Sequence, residues 1–246
     1  MKNVVKSLRR ISTGILVIVS TGVILAACNK SDKYNIDLPA AGLMVFNLAP
    51  DQPAVGVALS GNSINPSPLS FRAYTGQYIN IYPGTRAVET YDFISNYGFA
   101  ASSFTFEPEK YYSLFVVGAD SVYRNLLVTD NFDNLSASGG KAYIRYVNAI
   151  PDSSRPIVSI RTGAVEVVKE NTSFADVSPF IAVDPGALAI EIKNGESLNA
   201  TRSIDVIAKR VYTILFSGKP GELNNDKAVQ IRFIQNGILT DSTTKD

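Results

Sequence analysis

Phe46-Asn47-Leu48-Ala49-Pro50-Asp51 returns as Val147-Asn148-Ala149-Ile150-Pro151-Asp152, an offset of 101 residues. Two further blocks follow in the same order. Ile79-Asn80-Ile81-Tyr82-Pro83-Gly84 returns as Ile181-Ala182-Val183-Asp184-Pro185-Gly186 at an offset of 102. Tyr112-Ser113-Leu114-Phe115-Val116-Val117-Gly118 returns as Tyr212-Thr213-Ile214-Leu215-Phe216-Ser217-Gly218 at an offset of 100. Three blocks in one order at nearly constant spacing mark two copies of one domain. Within each copy the apolar residues repeat every second position. Met44, Phe46 and Leu48 alternate with Leu43, Val45 and Asn47, while Val55, Val57 and Leu59 alternate with Gly56 and Ala58. That period, with β-branched and aromatic residues, predicts strands. Ala49-Pro50-Asp51, Ser60-Gly61-Asn62, Pro83-Gly84, Pro185-Gly186 and Asn194-Gly195 separate them as turns, with Pro-Gly suited to the centre of a type II turn.

Short strands with a turn about every ten residues, in units of ~100 residues, predict an all-β chain of two tandem immunoglobulin-like antiparallel β-sandwich domains. Phe106-Glu107-Pro108-Glu109-Lys110-Tyr111-Tyr112 sharpens this, because an apolar residue and a proline precede a tyrosine that opens a strand. The pattern resembles a tyrosine corner, whose hydroxyl bonds back to upstream backbone. Tyr212 occupies the same slot in the second copy, with Val206 at the apolar position and Ala208 in place of the proline. The reading divides the chain into a leader (1–27), a tether (28–41), a first sandwich (42–133), a linker (134–141), a second sandwich (142–238) and a tail (239–246). The small residues of the linker suggest some hinge motion.

The leader carries Lys2, Lys6, Arg9 and Arg10 with no acid, then an apolar run from Ile11 to Ala27, then Leu25-Ala26-Ala27-Cys28. Basic residues, an apolar run and small residues, in that order, are the layout of a secretory signal peptide. Interrupted by Ser12, Thr13, Gly14, Ser20, Thr21 and Gly22, the run is short and polar for a span that needs about 20 apolar residues. Leu-Ala-Ala-Cys resembles the lipobox of bacterial lipoproteins. That resemblance implies cleavage before Cys28, lipidation of Cys28 and anchorage in the cell envelope. Asn29 lacks the acid associated with retention at the inner membrane, so the outer membrane is favoured; whether the domains face the periplasm or the exterior stays open.

Composition narrows the chemistry. Without residues 1–27 the chain holds 19 Lys+Arg against 22 Asp+Glu, which offers no electrostatic footprint for nucleic acid. The sequence has no histidine, and Cys28 is its only cysteine. No Ser/His/Asp or Cys/His arrangement can therefore be built, no zinc site with imidazole or thiolate ligands and no disulfide. Carboxylate chemistry and calcium held by oxygen remain possible in principle, without a recognisable motif. No metal and no cofactor are expected. Asp51 and Asp152 read as turn residues bonding their own backbone, and Asp120, Asp130 and Asp133 as solvated loop charge.

The strand-and-turn units Val45-Phe46-Asn47-Leu48-Ala49-Pro50-Asp51-Gln52-Pro53-Ala54-Val55 and Tyr146-Val147-Asn148-Ala149-Ile150-Pro151-Asp152 resemble the opening signature of the domain-of-unknown-function 4397 family. There an apolar strand runs into an Ala-Ser-Pro-Asp-like turn. In this chain Ala49 and Ile150 stand where that family has serine, and Val55-Gly56-Val57 and Ile157-Val158-Ser159 where it has Val-Asp-Val. The resemblance implies a lipid-anchored β-sandwich of the envelope and confers no activity.

One asymmetry separates the copies. Ten aromatics lie between Phe71 and Phe106, whereas Phe174 to Val206 holds only Phe174 and Phe180. Alignment on Pro-Gly sets Tyr82 against Asp184, which points Tyr82 to solvent, with Asn80 on the same face by the period of two. Tyr82, Asn80 and one or more of Tyr74, Tyr91 and Tyr97 thus become candidates for an exposed aromatic and amide patch that meets a glycan or an envelope protein. The alternative is that these tyrosines pack between the copies or cover a sheet face. The expectation is a non-catalytic binding or structural module held to the membrane through Cys28. The other reading is a carboxylate-dependent glycan-processing enzyme, or a glycan-capture subunit of an outer-membrane uptake system.

Overall fold

The computed structural model describes residues 39–152, 154–195, 198–223 and 225–240. The leader, Cys28, the tether up to residue 38 and the end of the tail lie outside the described residues. The described residues, from Pro39 onward, belong to one compact unit. Its first repeat contains β1 (Ala41–Asn47), β2 (Val55–Leu59), β3 (Asn62–Ser63), β4 (Ile79–Ile81), β5 (Gly84–Asp92), β6 (Gly98–Phe106), β7 (Tyr111–Ala119) and β8 (Val122–Thr129). The second contains β9 (Ala142–Asn148), β10 (Ile157–Thr162), β11 (Val165–Asn171), β12 (Ile181–Val183), β13 (Gly186–Asn194), β14 (Leu198–Val206), β15 (Arg210–Ser217) and β16 (Gln230–Ile238).

Each repeat is a sandwich of two four-stranded sheets. The orders are β4-β1-β7-β8 and β3-β2-β5-β6 in the first, and β12-β9-β15-β16 and β11-β10-β13-β14 in the second. The all-β tandem expected from the sequence is thus what the chain adopts, with one departure. β1 runs parallel to β7 and β9 parallel to β15, so the sheets are not wholly antiparallel. Parallel neighbours need a long crossover, and here all the strands between β1 and β7 supply it.

The repeated Asn-x-x-Pro-Asp motif owes its place to its asparagine. Asn47 is buried; its amide donates to the carbonyls of Gln52 (2.7 Å) and Leu69 (2.9 Å) and accepts from the Ala49 N–H. Asn148 repeats this, donating to the Ser173 carbonyl and accepting from the Ile150 N–H. Buried backbone groups left by the turn are satisfied in this way. Both tyrosine corners form as well: the Tyr112 hydroxyl accepts from the Glu107 N–H at 2.8 Å and the Tyr212 hydroxyl from the Ile207 N–H at 3.1 Å.

Two apolar cores fill the sandwiches. A third lies between the repeats, where Met44, Phe46, Leu48, Phe115 and Val117 meet Val147, Ala149, Leu215 and Ile234. The inner sheets are therefore covered on both faces, and all seven residues of β1 are buried. Near-continuous apolar runs are the mark of a doubly covered strand, and Leu43-Met44-Val45-Phe46 is such a run.

Into this core is set a closed ring of polar side chains. Arg145, its side chain 1 % exposed, pairs with Asp130, whose side chain is 0 % exposed. Asp130 also accepts from the hydroxyls of Ser113 and Tyr78. Arg145 donates further to Ser113 Oγ and Thr213 Oγ1, each at 2.9 Å. Thr213 then donates to Asn236, whose amide donates to the Tyr78 hydroxyl. The guanidinium carbon stands 4.6 Å from the Phe180 ring centre. Asp130 is therefore not solvated loop charge, whereas Asp133 and Asp120 do pair at the surface, with Lys110 and Lys219. Burial first, then the carboxylate it faces, push the Tyr78 phenol above its ordinary range.

At the other end of the contact, Arg72 reaches across from the first repeat. It donates to the carbonyls of Ser217, Asp226 and Ala228 and to Ser217 Oγ. Burial, then the nearby Arg232 charge, lower its pKa to about 10, so it stays charged at neutral pH. A shared core bounded by two such clamps leaves little for a hinge at 134–141 to do.

Candidate binding shelf on the first repeat

The outer sheet of the first repeat supplies the site. Along β2 and β5, inward residues Val55, Val57, Leu59 and Val88 enter the sandwich core, which turns Gly56, Ala58, Glu89 and Tyr91 outward by the period of two. The registers set these in rows across the sheet. Ser63, Ala58, Glu89 and Ala101 form one row. Gly56, Tyr91 and Gly98 form the next.

Between two glycines, Tyr91 has no cross-strand side chain to hold its ring upright. The ring lies down on Gly56, where a Cβ would come within 2.4 Å of its carbons, and the hydroxyl donates to Ser63 Oγ at 3.2 Å. One ring face therefore rests on backbone. Tyr91, Glu89, Ser63, Asn96 and Phe99 line a groove of about 660 Å3 whose floor is Ala58, Gly98, Ala100 and Ala101. An aromatic plane beside a carboxylate, an amide and a hydroxyl offers one apolar surface and several hydrogen-bonding groups, the mix that fixes a polar ligand in place.

The β5–β6 turn extends this shelf. Asp92 Oδ1 accepts from the backbone N–H groups of Ile94 and Ser95 and from the Ser95 hydroxyl, and the bonds from Ser95 hold its carboxyl below the usual range. Asn96 takes a left-handed conformation, φ 58°. The turn presents Ile94 and Tyr97 to solvent at 80 % and 73 % exposure, while Phe93 stacks on Tyr91.

The five candidates from the sequence do not form one patch. Tyr74 stacks on Phe46, ring centres 5.4 Å apart, and packs against the core between the repeats. Tyr82 and Asn80 are exposed, as expected, but sit beside the N-terminal end of β1, where Ile81 pairs with Ala41. Tyr91 and Tyr97 lie at the far end of β5, roughly 25 Å away at ~3.3 Å per residue. Asn80 and Tyr82 thus lie at one place and Tyr91 and Tyr97 at another. Glu89, Ser63 and Asn96 were missed; the signal available was the small-residue pattern of Gly56, Ala58, Gly98 and Ala101 around Tyr91. Cys28 lies outside the described residues.

In the second repeat the matching register holds Ile157 for Gly56, Lys193 for Tyr91 and Asn199 for Gly98, while Glu191 keeps the place of Glu89. Arg161, Glu166, Lys169, Glu191 and Lys193 make that face charged. Among the described residues no group of three or more Asp, Glu, Cys or His side chains could hold a metal ion, and no helix is long and apolar enough to cross a membrane.

Residues 41–161 match the sequence model of the family described as domain of unknown function DUF4397. This stretch is DUF4397-like. The matched segment begins with β1 and ends within β10, so it takes in the whole first repeat and the opening of the second. No curated protein matches. Among solved structures, the chain is similar to a crystal structure from Bacteroides eggerthii DSM 20697, of a protein provisionally assigned to cell adhesion. The two are 11 % identical over 81 % of this chain and 96 % of that one, at a TM-score of 0.23. So loose a superposition transfers no role.

Proposed function

We propose that this chain is a lipid-anchored, non-catalytic binding module of the bacterial cell envelope, and that the Tyr91 shelf of its first repeat takes a glycan. The observation carrying this is the Tyr91 ring laid on Gly56 with Glu89, Ser63 and Asn96 around it. A pyranose can stack its apolar face on such a ring while its hydroxyls meet the carboxylate and amide. Among the described residues Glu89 is the one carboxylate lining the groove; glycoside hydrolysis uses two, which favours binding over cleavage there.

The test is a glycan-array screen of the fragment 39–246, followed by titration of any ligand found. Wild type and Tyr82→Ala are expected to bind alike, and Tyr91→Ala to lose binding with its thermal midpoint unchanged. A silent array, or loss of binding in Tyr82→Ala alone, would overturn the glycan assignment and turn attention to a protein partner at Ile94 and Tyr97.

A further inference from the structure

Sheet edges carry the next inference, because an unprotected edge is a template for another strand. Three of the eight edge strands, β3, β4 and β12, are only two or three residues long. Four others carry charge: Arg124 on β8, Glu166, Lys169 and Glu170 on β11, Arg202 and Asp205 on β14, and Arg232 on β16. β6 is different. Its nine residues, Gly98-Phe99-Ala100-Ala101-Ser102-Ser103-Phe104-Thr105-Phe106, contain neither charge nor proline.

Comparison with β14 shows what is missing. There Arg202 donates to the Ile231 carbonyl at 2.7 Å and lies over the Phe233 ring, so its side chain bridges the seam between the two sheets. An inward charge at an edge is a recognised guard against strand addition. The matching residue of β6 is Ser102, which is too short to bridge.

We infer that β6 is a homotypic contact, pairing antiparallel with β6 of a second copy about a two-fold axis near Ser102. A second copy fits this edge because an uncharged strand meets itself without repulsion, and because Ala100, Ala101, Ser102 and Ser103 place only small side chains at the centre. Pairing would join the two outer sheets into one of eight strands. The Tyr91 shelves would then share a face, roughly 30 Å apart from strand spacing and rise, and engage a repetitive ligand together.

Sedimentation of the fragment 39–246, which has no cysteine of its own, tests this. Wild type is expected to dimerise with rising concentration, and Ser102→Arg to stay monomeric with an unchanged melt, since Arg202 shows that the fold accepts arginine at this register. Ser102→Cys is expected to form a covalent dimer on mild oxidation. A wild type that remains monomeric up to ~1 mM, or a dimer that survives Ser102→Arg, would overturn the inference.

Discussion

The two repeats share a backbone and differ in what it carries. At one outward register of the outer sheet the first has Gly56, Tyr91 and Gly98, and the second has Ile157, Lys193 and Asn199. Glycines let a ring lie flat, whereas Ile157 and Asn199 fill the space beside Lys193, which needs none because its charge seeks water. On the opposite sheet, Met44 of the first repeat corresponds to Arg145 of the second. The two copies thus place different side chains at the same position of the inner sheet. The difference teaches that one scaffold can carry different side chains at matched positions, a flat tyrosine ring on the outer sheet of the first copy and a buried arginine on the inner sheet of the second.

Erasing the second asymmetry should have the largest effect. Arg145→Met makes the contact symmetric but strands the Asp130 carboxylate, and breaking a buried pair from one side costs about 3–5 kcal/mol. Urea unfolding should show that loss, and adding Asp130→Asn, which copies Asn236, should recover most of it. A double variant as unstable as the single would show that the carboxylate is not what is left uncompensated.

Arg72→Ala gives the first repeat the residue that the second has at Ala175. Hydrogen bonds from a charged donor contribute about 1.5–3 kcal/mol, and Arg72 is partly exposed, so a loss of about 2 kcal/mol in the same urea assay is expected. A smaller effect belongs to Tyr78, for which the second repeat has Phe180. Its folded pKa is raised, by burial and then by Asp130, so the folded chain keeps a proton that the unfolded chain releases above about pH 10. Its contribution is complete below that pH and is lost as pH rises beyond it. Tyr78→Phe should flatten the fall in stability between neutral and strongly alkaline pH. Part of the slope should remain, because burial and the bond to Glu170 raise Tyr146 as well.

Gly56→Ala is the mildest change to the fold and the sharpest test of the shelf. Its Cβ would meet the Tyr91 ring at 2.4 Å. Since the ring can swing away, the thermal midpoint should move little while ligand affinity falls about as far as in Tyr91→Ala. Retained affinity would mean that the flat ring is not what the ligand meets.

Parts of this were legible in the residues alone, and parts were not. Asn47 and Asn148 announced themselves by repetition, and Tyr112 and Tyr212 by their distance from an apolar residue upstream, because both act within a few residues of themselves. Asp130 looked like loop charge because its partner Arg145 belongs to the other repeat. Tyr82 drew attention because it faces an aspartate in the alignment, and it is exposed, but exposure at one end of β5 says nothing of what lies at the other. Tyr91 and Tyr97 are brought to the same end of β5 by the turn that joins β5 to β6, and Tyr91 reaches Ser63 only because β2 pairs with β3 and β5.

Strand, turn and duplication were therefore determined by the sequence itself, since periodicity, Pro-Gly turns and recurring blocks are local or nearly so and their physics needs no partner. Which sheet faces would be doubly covered, which charge would be buried and which tyrosine would lie flat were decided only when strands distant in sequence came to lie side by side. Those outcomes depend on what stands across a register, and a register is a property of the folded sheet.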